Sequence, residues 1–422
     1  MSSLPEGWSV VPFEQVADYA SGRTPARANA TYWNGEGKQF PWVAISDMEP
    51  YGIIDTTAET ISEAAFHEAF RARIVPAGTL LMSFKLTIGR VATLGVPACH
   101  NEAIIAIYPK PTVDQNYLGY FLSQVDYSEQ QDRQIKGNTL NQAKIDRIPV
   151  VLPPLEEQRA IAQILGRVRE GIDIELSADK IASELKRSAM RDLFTRGLRA
   201  RALKETDLGP LPENWDACRL SDVCALSTGT TPSTKREDYY RGEIPFIKTA
   251  DIVNNRLRVA ATHISEQARS DYNLALYPPG TVLMAMYGQG KTRGQVALLE
   301  IAAATTQNAA AIEPGDHVVP SFLWHYLMSI YDDLRGMGSL GHLSHLNLGY
   351  LRDLRVPIPP VDEQREMAAI LDAVDNKIDL HRSKRDVLEE LFRSLLQKLM
   401  VGEIRVGQLK LDALARKDSE AA

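Results

Sequence analysis

Two stretches of the chain stand apart by the period of their apolar positions. After Pro359-Pro360 about forty residues run without a proline, and Leu371, Val374, Ile378, Leu388, Phe392, Leu395 and Leu399 fall at alternating three- and four-residue steps, interrupted only by His381 and Arg385. Such heptads predict a long helix with a coiled-coil seam. After Pro153-Pro154 a second stretch repeats the start with Leu165, Val168 and Ile172 and then loosens, with Glu175, Asp179 and Lys186 in the places of His381, Arg385 and Phe392. Proline is tolerated in a first helical turn, and the acids that follow (Glu156 and Glu157; Asp362 and Glu363) complement the positive helix end. At 1.5 Å per residue each helix is about 60 Å long, more than one globule needs, so the two are predicted to pack on each other. In an antiparallel pair Glu175 and Asp179 are expected to face His381 and Arg385 and to fix the register.

The rest of the chain is punctuated by glycine and proline around short mixed runs such as Pro41-Trp42-Val43-Ala44-Ile45 and Ile244-Pro245-Phe246-Ile247-Lys248, the pattern of an α/β or α+β globule. It also repeats. Leu4-Pro5-Glu6-Gly7-Trp8 returns as Leu211-Pro212-Glu213-Asn214-Trp215, and Ser21-Gly22-Arg23-Thr24-Pro25 as Thr228-Gly229-Thr230-Thr231-Pro232. Gly78-Thr79-Leu80-Leu81-Met82 matches Gly280-Thr281-Val282-Leu283-Met284, and Pro153-Pro154-Leu155-Glu156-Glu157-Gln158-Arg159 matches Pro359-Pro360-Val361-Asp362-Glu363-Gln364-Arg365. A period near 206 residues is far too long for a solenoid or propeller and indicates a tandem duplication. The expected order is a globule over 1–153, a helix over 154–200, a second globule over 201–359, a second helix over 360–400 and a polar tail over 401–422. The first helix ends in a basic connector, Thr195 to Arg201.

Composition narrows the chemistry. A chain of 422 residues with 44% apolar and 24% charged positions can bury sizeable cores, and no run approaches the ~18 apolar residues of a membrane span. The opening lacks a basic segment followed by an apolar one, and three cysteines (Cys99, Cys218, Cys224) supply neither a disulfide framework nor a four-ligand zinc set, so a reducing cytoplasm is expected. Forty-seven basic against 54 acidic residues argue against a free-standing nucleic-acid binder. Gly288-Gln289-Gly290-Lys291-Thr292 ends like a phosphate-binding loop, but Ala285 stands where the first glycine belongs and the first copy has only Leu86-Thr87-Ile88-Gly89-Arg90. His342 and His345 lack further metal ligands in sequence, and no nucleophile elbow or methyltransferase motif is present, so neither a catalytic nor a metal site is expected. What remains is polar loops at matching places: Arg23, Lys85, Thr87, Arg90, Asn101, Lys136, Asn138 and Thr139 in the first globule, and Lys235, Arg236, Lys248, Tyr287, Gln289, Lys291, Arg293, Gln307, Asn308, His342, Ser344 and His345 in the second. Arginine and lysine suit guanine edges and phosphates, asparagine and glutamine suit adenine, and these residues are the candidates for contacting DNA.

The doubled Pro-Pro-Leu-Glu-Glu-Gln-Arg and Pro-Pro-Val-Asp-Glu-Gln-Arg helix starts, the Leu-Pro-x-x-Trp openings, the Ser-Gly-x-Thr-Pro and Thr-Gly-x-Thr-Pro turns and the Gly-Glu-Ile-Pro-Phe stretch closely resemble the specificity subunits of type I restriction–modification systems, over almost the whole chain. The resemblance implies a pseudo-two-fold molecule of two target-recognition domains, each reading half of a split double-stranded DNA site, joined by two helices packed as an antiparallel coiled coil. It implies a non-catalytic chain that sets half-site spacing and docks two methyltransferase subunits. S-adenosylmethionine would be bound by those partners, adenine N6 methylated, and ATP and magnesium used by two motor-nuclease subunits where present. Phosphate neutralisation shared with such partners offsets the charge argument. Two other readings stand beside it: a coiled-coil scaffold without sequence readout, and an enzyme built on Gly290-Lys291-Thr292.

Overall fold

The computed structural model describes residues 4–127, 132–134, 137–199, 201–288, 291–337 and 346–409. The chain forms two compact units, Met1–Ile174 with Arg385–Ala422, and Glu175–Lys384, and each combines a globule with parts of both long helices. Among the described residues no helix is long and apolar enough to cross a membrane.

The first unit contains strands β1 (Ser9–Pro12), β2 (Ala17–Ser21), β3 (Gln39–Val43), β4 (Ile53–Ile54), β5 (Glu59–Ser62), β6 (Leu80–Ser83), β7 (Val91–Leu94), β8 (Cys99–His100), β9 (Ile104–Pro109), β10 (Asp132–Gln134), β11 (Gly137–Thr139) and β12 (Pro149–Leu152), with helices α1 (Glu63–Phe70), α2 (Gln115–Gln124) and α3 (Gln142–Asp146). Five strands form a sheet in the order β2-β9-β6-β7-β4 and three a smaller sheet, β5-β3-β8. The central strands read as unbroken apolar runs because both sheet faces are covered. Leu80, Met82, Val91, Ile105 and Ile107 point into the core shared with α2 and the long helices, while Leu81, Ala92, Leu94, Ile104 and Ala106 enter the core on the other face. Their alternation is the two-residue period of a strand.

The second unit repeats the plan with β13 (Leu203–Thr206), β14 (Gly209–Pro212), β15 (Asp216–Arg219), β16 (Cys224–Thr228), β17 (Ile244–Ile247), β18 (Asn255–Leu257), β19 (His263–Ile264), β20 (Val282–Ala285), β21 (Val296–Leu299), β22 (Ala304–Thr305), β23 (Ala309–Pro314) and β24 (Arg355–Ile358). Its sheets run β16-β23-β20-β21-β18 and β19-β17-β22, the same orders as in the first unit. Between the strands lie helices of its own, the long helices aside: α5 (Leu220–Val223), α6 (Glu266–Asp271), α7 (Pro320–Ser329), α8 (Tyr331–Met337) and α9 (Leu348–Asp353). The second unit also holds the β13–β14 hairpin.

The proline-free stretches are α4 (Leu155–Arg196) and α10 (Val361–Met400), 42 and 40 residues long. Within each unit the two helices run antiparallel. In the first, Ile161, Leu165 and Ile172 share a core with Phe392, Leu396 and Leu399. In the second, Lys186 reaches Asp375 while Arg199, further along the chain, reaches Glu366. Of the predicted seam, Leu165, Ile172, Leu371, Ile378, Phe392 and Leu399 are buried, and Val168, Val374, Leu388 and Leu395 are half-buried. Of the expected facing pairs, Glu175 and His381 meet within the second unit. Asp179 accepts from Arg382 Nε at 3.1 Å, and Glu175 is bonded by His381 Nδ1 with Lys384 Nζ at 3.8 Å. Arg385 lies in the first unit, paired with Asp386 and Glu389. Beside the Glu175–His381 pair, long basic side chains reach in from the flanks, Lys384 to Glu175 and Arg382 to Asp179.

The repeated Pro-Pro motif is a structural clamp made twice. Gln158 is buried; its Oε1 accepts from Asp114 N at 2.8 Å and its Nε2 donates to the carbonyls of Thr112 and Pro153. Gln364 does the same with Val319 N at 2.8 Å and the carbonyls of His317 and Pro359. Each glutamine thus ties the start of a long helix to the start of α2 or α7. The preceding glutamate anchors the repeated tryptophan: Trp8 Nε1 donates to Glu157 at 3.0 Å and Trp215 Nε1 to Glu363 at 3.3 Å. The segment after the opposite helix closes the clamp, through Arg405 on Glu157 at 2.7 Å and the Leu198 N–H on Glu363 at 3.1 Å. Replacing Gln158 or Gln364 by alanine strands a buried backbone donor and two carbonyls, and is expected to cost about 1–3 kcal/mol. Hydrogen exchange at the amides of Asp114 or Val319 should accelerate in the matching variant only.

Candidate nucleic-acid interface

The sheet topology gathers most candidate loops at one end of each five-stranded sheet. In the first unit β2 and β6 finish there, and β7, β9 and β4 begin there, as their pairing registers require. Arg23, Lys85, Thr87, Arg90 and Asn101 all lie on the connecting loops. Arg23 and Thr87 are exposed, Lys85 is half-buried with its ammonium 5.2 Å from the Phe84 ring, and Arg90 donates to the Ile45 carbonyl at 3.1 Å. In the second unit the same end carries Lys248, Tyr287, Lys291, Arg293, Gln307 and Asn308, of which Lys248, Tyr287, Lys291 and Gln307 are exposed. Arg293 donates to the Arg335 carbonyl at 3.2 Å, and the Asn308 carbonyl accepts from Met286 N at 2.9 Å.

Lys235 and Arg236 lie further along the segment after β16, and Arg236 is chelated by Asp238 and stacked 4.2 Å from the Tyr239 ring. Lys136, Gln289, His342, Ser344 and His345 fall outside the described residues, and Asn138 and Thr139 belong to β11, whose side chains are likewise not described.

The repeated Gly-x-Thr-Pro turn has a steric origin. A Cβ on Gly22 would lie 2.0 Å from the His100 carbonyl oxygen, and one on Gly229 would lie 1.7 Å from that of Thr305. The two chains cross with no room for a side chain, and the crossing brings the turn threonine onto the tip before β9 or β23. In the first unit Asn101 Nδ2 donates to Thr24 Oγ1 at 3.2 Å, and Thr24 donates its proton to the Glu102 carboxylate. Asn101 Oδ1 also accepts from Ala103 N at 2.7 Å, so this candidate is engaged in building the tip. In the second unit Thr306 Oγ1 accepts from Asn308 N at 3.2 Å, taking the part of Asn101, and Thr231 bonds Gln307. Glu102 and Gln307 are therefore the matched, exposed side chains of the two tips. Glu102 escaped the sequence reading, which sought cations and amides; the signal was its place two residues before β9, as Gln307 stands two before β23.

The neighbouring loop differs in length. Gly89 N bonds the Ser83 carbonyl and Gly294 N that of Ala285, so the loop between β20 and β21 is three residues longer than that between β6 and β7. The longer loop carries Gly288-Gln289-Gly290-Lys291-Thr292, which therefore joins two antiparallel strands, with strand β21 and not a helix after it to hold a phosphate.

Behind the first tip His100 is buried, and burial pushes its imidazole down to about 4. It is neutral in the fold and protonated in the unfolded chain below about pH 6.5. Its contribution is complete above that value and is lost as pH falls from about 6.5 towards about 4, by about 1.4 kcal/mol per unit. The His100→Gln variant should show a flatter decline of first-unit stability between pH 6.5 and 4.5, measured by urea unfolding.

A second ionic cluster lies within the second unit. His325 is fully buried and its Nε2 donates to Asp372 at 2.7 Å; Arg256 bonds both Asp372 and Glu300, and Lys186 Nζ lies 2.6 Å from Asp375. Although His325, Asp372 and Asp375 are close enough for a cation, Lys186 and Arg256 already supply positive charge to both carboxylates. Burial raises the Asp372 carboxyl, but the His325 hydrogen bond and Arg256 outweigh it and the group ends below its ordinary value. The first unit builds the same place from Tyr51, Tyr120 and Phe392, with ring centroids 5.2–5.9 Å apart. One place in the fold is thus ionic in one copy and aromatic in the other.

Comparison with known proteins matches these features to one family. The profile described as "Type I restriction modification DNA specificity domain" matches residues 5–187 and again 212–390. The putative type I restriction enzyme MjaX specificity subunit of Methanocaldococcus jannaschii is 22% identical over 426 residues, 96% of each chain. The MjaIX specificity subunit of the same organism is 28% identical over 205 residues, so that this alignment spans about half of either protein (47% and 46%). Among solved structures, the type I restriction–modification S subunit from M. genitalium superposes with a TM-score of 0.63 at 14% identity, covering 94% of this chain and 97% of that one.

Proposed function

The chain belongs to the type I restriction–modification DNA specificity family, and from that premise we propose that its two globules each read one half of an asymmetric, bipartite DNA site. The observation that carries the proposal is the paired sheet end: the same five strands in the same order present polar side chains at one end of both globules, and those side chains and one loop length differ between the copies. Like scaffolds with unlike tips suit an asymmetric target. The chain itself is not catalytic in this reading, and the antiparallel helices act as the ruler that sets the separation of the half-sites.

Docking of two methyltransferase subunits is supported by the outer faces of the helices. Ile174, Val387 and Leu391 are exposed in the first unit, and Leu380, Ile181 and Leu185 are exposed in the second. The three positions correspond one to one at a spacing of 206, as two copies of one partner require. S-adenosylmethionine, ATP and magnesium belong to such partners, and methylation of adenine N6 is the expected outcome of the assembly. Ile181→Asp combined with Val387→Asp should abolish co-purification with the methyltransferase while leaving the helical circular dichroism signal intact, because both residues are more than half exposed.

The direct test is base-resolved mapping of DNA methylation in the source cell with and without this gene. The proposal expects a split motif whose methylation disappears on deletion. An unchanged methylome, in a cell where the chain co-purifies with an active methyltransferase, would overturn it.

A further inference from the structure

We propose that Glu102 and Gln307 are base-reading residues of the two globules, Glu102 selecting cytosine and Gln307 adenine, each held in reading position by the threonine of the repeated turn. The inference rests on the sheet ends being the DNA-facing surfaces. Three observations converge on these positions. Both side chains are exposed at the tip that immediately precedes the strand next to the turn strand. Both tips are locked from behind, by Gly22 crossing His100 and by Gly229 crossing Thr305, where no Cβ fits. Both side chains receive the hydroxyl of a turn threonine, Thr24 or Thr231, which restrains a flexible carboxylate or amide before any DNA arrives.

The chemistry then differs by one group. With Asn101 donating to Thr24 Oγ1, the threonine proton goes to Glu102, whose remaining lone pairs can only accept. In the major groove an acceptor-only side chain pairs with the cytosine N4 amino group. It is repelled by phosphates and by the acceptor edge of guanine. Gln307 keeps both amide N–H donors and a second oxygen lone pair, the combination that pairs in bidentate fashion with adenine N6 and N7. Ordering the side chain in advance reduces the entropy lost on binding, and this gives the repeated threonine a role in recognition as well as in the turn.

The test uses the full chain assembled with its methyltransferase subunits and a plasmid library randomised over the target, with methylation read at base resolution. Glu102→Gln should shift one position of one half-site from cytosine towards adenine by about tenfold or more, leaving the other half unchanged; Gln307→Glu should do the reverse in the other half. Thr24→Val should relax selectivity at the position that Glu102→Gln changes. A further variant replaces the 286–294 loop by the shorter 84–89 loop. If that loop variant alters the motif while Glu102→Gln and Gln307→Glu leave it intact, or lower methylation of all sequences alike, the base-reading assignment is overturned and the sheet end stands as the DNA face. If none of these variants alters the motif, the assignment of the sheet ends to DNA fails, and this inference with it.

Discussion

Asp375→Ala is expected to destabilise the second unit by about 3–5 kcal/mol, the cost of leaving a buried charge without its partner. Lys186 is 9% exposed, its Nζ lies 2.6 Å from Asp375, and burial pulls its ammonium below the ordinary value against the opposing pull of that carboxylate. Removing Asp375 leaves the ammonium against the Trp324 ring and Met328 sulfur, with His325 beside it. The double variant Lys186→Met with Asp375→Leu should recover most of that loss, since apolar replacements of a buried pair are often neutral or better. The fold itself supplies the precedent. Phe392 stands where Lys186 does, one repeat later, and packs on Tyr51 and Tyr120 in the first unit. Hydrogen exchange in α7 and in the first half of α10 would measure both variants. Equal protection in Asp375→Ala and the parent chain would show that the pair contributes nothing to local stability.

The same pair marks where sequence reading ran out. The length of both helices was legible because proline is excluded from helix interiors and because the apolar steps persist through α10. In the sequence the seam of α4 loosens after Ile172, since Glu175, Asp179 and Lys186 break the apolar pattern. In the structure these residues keep their inward positions and meet His381, Arg382 and Asp375. A pattern of one helix cannot reveal that its polar positions are satisfied by another helix in a register that only the fold sets. The Pro-Pro motif was legible as a helix start for the same local reasons, whereas the work of its glutamine, stapling that start to α2 or α7, is tertiary and left no periodic trace.

The candidate interface was legible in a different way. Strands covered on both faces are so apolar that polar residues are driven to the connections, and the repeat identified which connections correspond. That was enough to gather Arg23, Lys85, Thr87, Arg90, Lys248, Tyr287, Lys291 and Gln307 at the sheet ends. It did not separate presented side chains from engaged ones. Asn101 builds the tip and Arg236 is chelated by Asp238, while Glu102 lay outside a search for cations and amides. Charge type predicts affinity for phosphate, and specificity depends on donor and acceptor geometry.

Exchange of residues 5–153 for the corresponding globule of another specificity subunit is expected to replace one half of the methylated motif and to leave the other half and the spacing unchanged. The expectation follows from how each globule is attached. Its contacts to the start of the long helix run through Trp8 to Glu157 and through the backbone of Thr112 and Asp114 to Gln158, and neither Glu157 nor Gln158 belongs to the exchanged segment. A donor globule with the same tryptophan and the same turn before α2 would therefore seat on the existing helix. The two-residue clamp is also made independently at Glu363 and Gln364, so the second globule keeps its own attachment. Spacing stays with α4 and α10, which the exchange does not alter in length. A hybrid that methylated the parent motif in full would favour a scaffold without sequence readout, and a hybrid with both halves changed would show that the globules read jointly. A single changed half, with spacing retained, separates the tip chemistry of each globule from the ruler between half-sites.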